Sequence, residues 1–302
     1  MRLFVFGIGY SASAFITRYG ERFRAIAGTV RAPGKAAELQ AQGIDAQVFD
    51  GSGTAPDENR SAIATALAEA DAVLVSVPPG ADGCPAYTAF GASLAEAPRL
   101  RWIGYLSTVG VYGDHDGDWV DENTPPSTRN ARSLLRLAAE KGWSRLASET
   151  GKRLDILRLP GIYGPGRNAL VEVAAGRARR IARPGQVFNR IHVEDIAATL
   201  AVLTARAEHS PAGGGVYNVC DDEPAPQSDV IAYAARLLGL PPPPEVSLEE
   251  AGLSPMGLSF WTENKRICNA RLKADLGLEL AYPSYREGLE GLLNAGEGRG
   301  AP

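Results

Sequence analysis

Histidine and cysteine are scarce, with three of each in 302 residues. The cysteines Cys84, Cys220 and Cys268 are odd in number and far apart, so they specify no disulfide framework and fit a reducing compartment. No histidine stands at ligand spacing from a cysteine or another histidine, and no metal site is expected. A basic excess is missing too: 31 Lys and Arg face 35 Asp and Glu, a formal net charge of −4. Nothing there supplies the basic face that nucleic acid requires. Long apolar runs are absent. The short run after Arg2 has the outline of a secretory leader but is broken by Gly7 and Gly9, and no stretch approaches the roughly 18–20 apolar residues of a membrane span. The expectation is a soluble cytoplasmic protein whose partner is a small molecule, with no nucleic acid or membrane and a homodimer left open. What is present is globular: 45% hydrophobic and 22% charged residues exclude a disordered or fibrous chain, and the length suits about two domains.

The first half alternates apolar runs with helical patterns. Leu3–Phe6, Ala25–Val30, Ala46–Phe49, Ala72–Val77, Trp102–Ser107 and Asp155–Leu159 read as strands buried on both faces. Between them Ala12–Tyr19, Lys35–Gln42, Arg60–Glu69, Tyr87–Ala95 and Arg129–Ser148 read as helices. Such repetition predicts an α/β fold, a doubly wound parallel sheet with right-handed crossovers. After Pro160 the rhythm loosens. Turns at Gly161–Arg167, Pro211–Gly215 and Pro241–Pro244 separate a helix near Asn168–Arg177, a strand near Val187–Ile191, and helices near Val193–Ala205 and Ser228–Leu238. The tail Gly296–Pro302 reads as frayed.

Gly7-Ile8-Gly9-Tyr10-Ser11-Ala12 fits G-x-G-x-x-G/A at the first strand–helix junction. Gly7 makes the tight turn, Gly9 lets backbone approach a pyrophosphate, Ala12 allows close helix–strand packing, and the helix N-terminus offers N–H groups to the anion. A free ribose 2′-OH calls for an Asp or Glu about 20 residues later. Here Gly28-Thr29-Val30 ends in Arg31, with Lys35 beyond. A guanidinium grips a 2′-phosphate bidentately, so NADP(H) is favoured over NAD(H); the competing reading is an ordinary surface charge. Asp50, closing the third strand, is placed either to accept from an adenine amino group or simply to end the strand.

Further segments follow in order: Ser76-Val77-Pro78-Pro79, Ser107-Thr108-Val109-Gly110-Val111-Tyr112-Gly113, the run Arg158-Leu159-Pro160-Gly161-Ile162-Tyr163-Gly164-Pro165-Gly166-Arg167, Ile191-His192-Val193-Glu194-Asp195, and Val216-Tyr217-Asn218-Val219. On these and the glycine loop, the chain resembles the extended short-chain dehydrogenase/reductases, the group of NAD(P)-dependent epimerases, dehydratases and related reductases. The resemblance implies a Rossmann domain from residues 1–166 plus 188–221 and a smaller α/β substrate region from 167–187 plus 222–302. It adds Val77, Pro78, Arg136 and Pro160 to the cofactor contacts, and it implies an oxidoreductase of epimerase/dehydratase or reductase type acting on a small polar substrate, a sugar derivative among the candidates.

The family's chemistry uses a Ser or Thr, a Tyr and a Lys; the Tyr carries the proton, and the Lys holds the ribose and lowers the Tyr pKa. Thr108 stands at the hydroxyl position. Counting back from Ala139-Glu140, the Lys position holds Arg136 and the Tyr position Arg132, and no tyrosine lies between Tyr112 and Tyr163. A guanidinium gives up no proton near neutrality, so a binding role survives and a proton-transfer role does not. Tyr112 is then the best remaining phenol, weighed against a hydrogen-bonded packing role. Arg129, Arg132, Arg136 and Glu140 share a helix face, which reads equally as a solvated stripe or an anion-facing one. Gly161 replaces an Asn and Phe188 an Arg of sugar-nucleotide enzymes in the family, leaving Arg167 and Arg190, with Arg132, as the substrate's anion partners. The alternative to an enzyme is an NAD(P)-binding sensor whose catalytic pair became arginines.

Three further groups have plainer readings. Asp114, Asp116, Asp118, Asp121 and Glu122 fail as a calcium loop, because Trp119 and Pro125 stand where Gly and Glu are required; they read as a mobile lid or solvated loop. His192 reads as a structural residue at a strand-to-helix turn, and Glu263-Asn264-Lys265-Arg266 as a surface charge cluster.

Overall fold

Strands without polar alternation need helices on both faces, and this chain supplies them. The computed structural model describes residues 1–51, 57–210 and 212–299. In chain order the elements are β1 (Arg2–Phe6), α1 (Tyr10–Tyr19), β2 (Ala25–Val30), α2 (Pro33–Ala41), β3 (Asp45–Val48), α3 (Asp57–Glu69), β4 (Ala72–Val75), α4 (Pro85–Glu96), β5 (Trp102–Thr108), β6 (Trp119–Val120), α5 (Ala131–Thr150) and β7 (Arg153–Leu159). They continue with β8 (Gly161–Tyr163), α6 (Ala169–Ala174), β9 (Arg180–Ile181), β10 (Arg190–His192), α7 (Val193–His209), β11 (Gly214–Asn218), α8 (Gln227–Leu237), β12 (Glu245–Val246), α9 (Pro255–Ser259), β13 (Arg266–Ile267), α10 (Ala270–Leu276) and α11 (Tyr285–Asn294).

Two units result. The first comprises Met1–Thr108, Ala131–Arg158 and Ile196–Tyr217; the second comprises Val109–Asn130, Leu159–Asp195 and the chain from Asn218. This division differs from the sequence-based boundaries, because 109–130, 159–166, 188–195 and 218–221 pack with the second unit. The first unit is built on a seven-stranded sheet in the order β11-β7-β5-β4-β1-β2-β3, with β1–β2, β2–β3, β1–β4 and β4–β5 parallel. This is the Rossmann-like arrangement that the strand–helix repetition predicted. On one face Phe4, Phe6, Phe49 and Phe90 pack with Ile63, Leu67, Leu94 and Ile103; the Phe6, Phe49 and Phe90 rings lie 5.5–6.4 Å apart. In the second unit three short parallel pairs, β8–β10, β9–β12 and β6–β13, accompany a core of Tyr163, Leu170, Val230, Ile231, Tyr285 and Leu289.

The expected strand near Val187–Ile191 starts later, at Arg190, because Phe188 is tied to Ala225 by an antiparallel bridge. Strand β11 went unforeseen because it opens on two glycines. The first is there for close approach: a Cβ on Gly214 would sit 1.8 Å from the Leu154 carbonyl oxygen, so a turn-like residue is what this strand requires at its start. Within the expected turn at 211–215 and the expected frayed tail, residues 211 and 300–302 lie outside the described residues.

The β5–β7–β11 side of the sheet holds a buried polar clamp. Asp155, with no exposed surface, accepts from Trp102 Nε1 at 2.8 Å, Arg153 Nε at 2.9 Å and the Gly215 amide at 3.0 Å. Replacing it by Ala strands the buried Arg153 guanidinium. Asp155→Ala should cost about 3–5 kcal/mol of unfolding free energy, measured by urea denaturation; a loss under about 1 kcal/mol would show that the clamp is dispensable.

Candidate functional site

All paired strands from β3 to β5 run parallel, so their C-terminal ends share one edge. At β1 the sheet order reverses: β2 and β3 follow on one side, β4 and β5 on the other. Ligands of open α/β sheets bind at such a switch point. Gly7, Gly9, Tyr10, Ser11 and Ala12 lie there at the end of β1, beside Val77 and Pro78 after β4 and Thr108 at the end of β5. Gly7 has φ +84°, and a Cβ would stand 2.7 Å from Val77 Cγ1; its amide donates to Thr29 Oγ1 at 2.9 Å. Gly9 is the N-cap of α1 in extended backbone, with no capping side chain and no acid in the first turn. No atom lies within 4 Å of where its Cβ would be. The helix's positive end is thus uncovered and faces open space, which is the environment an anion requires. Ser11 and Ala12 are buried beneath it.

Arg31 is exposed immediately after β2, and Asp50 is exposed after β3. Arg31 makes no ion pair among the described residues, whereas Lys35 is paired with Glu38 at 2.8 Å. Arg132 is exposed, and Arg136 is half-buried on the first turns of α5. An Arg136 guanidinium N–H donates to the Leu106 carbonyl at 2.6 Å, so this side chain turns toward β5. One turn on, Glu140 is buried; it accepts from Arg158 through both oxygens, at 3.2 and 2.8 Å, and from Ser107 Oγ at 2.5 Å. The arginine face is therefore not a uniform solvated stripe. It starts in water at Arg132 and ends inside the unit at Glu140. The sequence places Glu140 on the arginine face and Ser107 and Arg158 in motif segments, but does not foretell their buried network. The available signal was an acid lying three and six residues before Trp143 and Leu146, which share its buried face. The remaining buried titrating groups of this unit are inert: burial pushes the Cys84 thiol and the Tyr105 phenol up, so neither is a ready nucleophile or base.

The second unit holds the other sequence candidates, and two of them turn inward. Tyr112 has no exposed surface, and its hydroxyl donates to Asn218 Oδ1 at 2.7 Å. That geometry is the packing role rather than that of a free acid. Arg190 donates to the Phe188 and Ala225 carbonyls at 2.9 and 3.1 Å, so its guanidinium braces the backbone instead of facing a substrate. Pro160 is half-buried between β7 and β8, and Arg167 is exposed. His192 is buried; its Nδ1 accepts from the Glu194 amide at 3.2 Å, and burial pushes its pKa down to about 4. The acidic loop is no mobile lid. Asn264 receives the His115 and Gly117 amides, both at 3.0 Å, the Asn264 amide reaches Asp114 at 2.6 Å, and Arg266 and Cys268 pair with Asp118 and Val120. Lys265 is likewise not a surface charge: it is 6% exposed and donates to the Gly113 carbonyl and to Glu263.

With these sites in view, the likeness to known proteins can be stated. No protein-family model matches the chain. It is 32% identical to protein YeeZ of Escherichia coli (strain K12) over 226 residues, 72% of this chain and 74% of YeeZ. A solved structure of a functionally unknown conserved protein from Silicibacter pomeroyi DSS is 45% identical, with TM-score 0.83 over 98% of this chain and 99% of that one. A structure from Methylobacillus flagellatus, described as an NAD-dependent epimerase/dehydratase, is 26% identical with TM-score 0.73, covering 97% and 98% of the two chains. The chain belongs to the extended short-chain dehydrogenase/reductase family, in its epimerase/dehydratase-like branch. A more distant member, the 3-diazoavenalumate denitrifying reductase of a Streptomyces species, is 28% identical over 183 residues, 57% of this chain and 55% of that protein. Among the described residues no helix is long and apolar enough to cross a membrane, and no three His, Cys, Asp or Glu are grouped to hold a metal.

One buried acid of this family member titrates far from its usual range. Asp221 is 2% exposed, and burial outweighs the opposing pull of Arg190, raising its pKa to about 8. An unfolded Asp loses its proton near about 3.9. Between those values the folded chain binds more protons than the unfolded chain, so stability is lost as pH rises through that window. Asp221→Asn cannot ionise and should flatten the fall in Tm between about pH 4 and 8. Parallel pH profiles for the variant and the parent protein would overturn this assignment.

Proposed function

We propose that the first unit binds a nicotinamide dinucleotide at the Gly7–Ala12 turn, with NADP(H) preferred over NAD(H). We further propose that the chain is an oxidoreductase of epimerase/dehydratase or reductase type on a small polar substrate, a sugar derivative among the candidates. The observation that carries the reading is the uncapped N-terminus of α1, open at Gly9 and set at the switch point of the sheet. The descriptions of the Methylobacillus structure and of the Streptomyces reductase support the same chemistry. Backbone N–H groups of the first turn of α1 would hold the pyrophosphate, the Gly9 amide itself being bonded to the Gly7 carbonyl at 2.8 Å. Arg31, exposed and without an ion-pair partner among the described residues, would take the 2′-phosphate, and Asp50 the adenine edge; Val77 and Pro78 would line the neighbouring strand end. A bound nicotinamide supplies hydride chemistry. The protein's share is to orient the substrate through Thr108 and to hold an anionic group through Arg132 and Arg136, which stay charged at any physiological pH.

A second reading, an NAD(P)-binding sensor, is favoured by one specific observation: the positions of the family's Tyr and Lys carry Arg132 and Arg136, and the Tyr112 hydroxyl is engaged with Asn218. A cytoplasmic protein that meets a small molecule, not nucleic acid or membrane, goes with either reading, and a homodimer is compatible with both. Nicotinamide absorbance followed over a panel of carbonyl and sugar substrates separates them: turnover supports the enzyme, and tight binding with no turnover supports the sensor.

Cofactor binding is tested directly by fluorescence titration. Gly9 has ordinary extended backbone and free space, and Asp is a good N-cap. Gly9→Asp should therefore keep or raise the Tm while abolishing NADPH binding, because its carboxylate occupies the pyrophosphate's path. Unchanged NADPH affinity would remove the loop from the site. At low salt NADPH should bind the parent protein about ten- to a hundredfold more tightly than NADH, the worth of a charge-assisted contact of roughly 1.5–3 kcal/mol. Arg31→Asp should reverse that order. Equal affinities in the parent protein would rule Arg31 out as a 2′-phosphate ligand.

A further inference from the structure

The run from Gly164 to Arg167 in the second unit forms a tight turn, closed by reciprocal backbone bonds of 3.0 Å between its first and last residues. The turn does not leave its donors to solvent. The Gly166 amide donates to both carboxylate oxygens of Glu297, at 3.1 and 3.0 Å. Asn168 Nδ2 donates to the same carboxylate at 2.9 Å and to the Gly164 carbonyl at 2.9 Å. Asn168 is itself 8% exposed and is fixed from its other end, where Oδ1 accepts the Val171 amide at 3.1 Å. The exposed Arg167 adds a positive charge beside these donors.

The carboxylate comes from 131 residues away in sequence. The segment that delivers it follows α11 and is held by the Glu297 amide on the Leu292 carbonyl at 3.0 Å, and by Gly298, whose Cβ would stand 2.9 Å from Leu170 Cβ. A backbone amide and a rigid side-chain amide form a donor set that suits carboxylate or phosphate oxygens. Here one of the chain's own acids fills it.

We propose that the Gly164–Arg167 turn and Asn168 form an oxyanion site of the second unit, occupied in cis by Glu297, for which the carboxylate or phosphate group of a small-molecule ligand competes. The proposal rests on reading Arg167 as an anion-binding residue. A tethered acid acts at an effective concentration of the order of millimolar. The C-terminal segment therefore sets a threshold: an anion enters only when it outcompetes Glu297, and any event that lifts the segment opens the site.

The test uses the full chain labelled with ¹⁵N. The Gly166 backbone amide and the Asn168 side-chain amide are followed while inorganic phosphate, or separately acetate, is added at constant ionic strength held with chloride. Glu297→Ala should respond at about tenfold lower anion concentration than the parent protein. Glu297→Gln keeps an acceptor for Gly166 but not the charge, and should fall between the two. Phosphate saturating below acetate identifies a phosphate-bearing ligand group, and the reverse order a carboxylate. If Glu297→Ala loosens the turn so that the Gly166 resonance is lost, the Gln variant decides. Equal midpoints in parent and variant, or no saturable response in either, overturn the proposal and leave Glu297 as a latch of the fold. Neither NADPH nor turnover enters this measurement, so its failure is distinguishable from failure of the cofactor reading.

Discussion

The first strand–helix turn runs so close to its neighbours that a side chain has no room. Gly7 takes a positive φ and would drive a Cβ into Val77, while a Cβ on Gly28 would stand 2.5 Å from the Val5 carbonyl oxygen. These two contacts let β1 sit between β2 and β4 with α1 starting at the edge of the sheet. Everything proposed for the first unit depends on that placement. The open N–H groups of α1, the strand ends carrying Arg31 and Thr108, and the reversal of strand order meet where they do because glycine alone fits at Gly7 and Gly28.

A second constraint acts on α5. Burying Glu140 costs several kcal/mol of lost hydration, and Arg158 with Ser107 offsets that cost through three hydrogen bonds. Trp143, fully buried on the same helix, packs its ring edge-to-face against Tyr87 at 5.2 Å. These contacts fix the rotation of α5, and that rotation turns Arg136 toward Leu106 while leaving Arg132 in water. Arg132 and Arg136 are thus set by a buried network one turn further along the helix, with Arg136 donating to the Leu106 carbonyl at the end of β5.

In the second unit, irregular segments are ordered by strapping. The stretch from Glu263 to Cys268 ties down the acidic loop, with Lys265 reaching the Gly113 carbonyl. Glu297 ties down the turn at Gly164–Arg167. In each case a loop gains further partners from a distant part of the chain, which satisfy backbone groups without regular structure.

What the sequence determined by itself was periodic or stereochemical. Apolar runs without alternation marked β1 to β5 and β7; the glycine spacing marked the loop at Gly7–Ala12; and the stretch between Tyr112 and Tyr163 holds no tyrosine. Such signals are local, so a single chain displays them. The direction in which a side chain faces is not local. Tyr112 offered a phenol next to Thr108 in sequence, yet its hydroxyl is bound to Asn218, more than a hundred residues on. Arg190 read as an anion partner, yet its guanidinium is used by the Phe188 and Ala225 carbonyls. Lys265 looked solvated because it is charged, and composition carries no record of which charges a distant segment will cover. Strand β11 looked like a turn because its Gly214 answers to the Leu154 carbonyl, a contact made only when the sheet has formed. Tertiary structure decided these points because each depends on a partner far away along the chain, and only folding brings that partner within hydrogen-bonding distance.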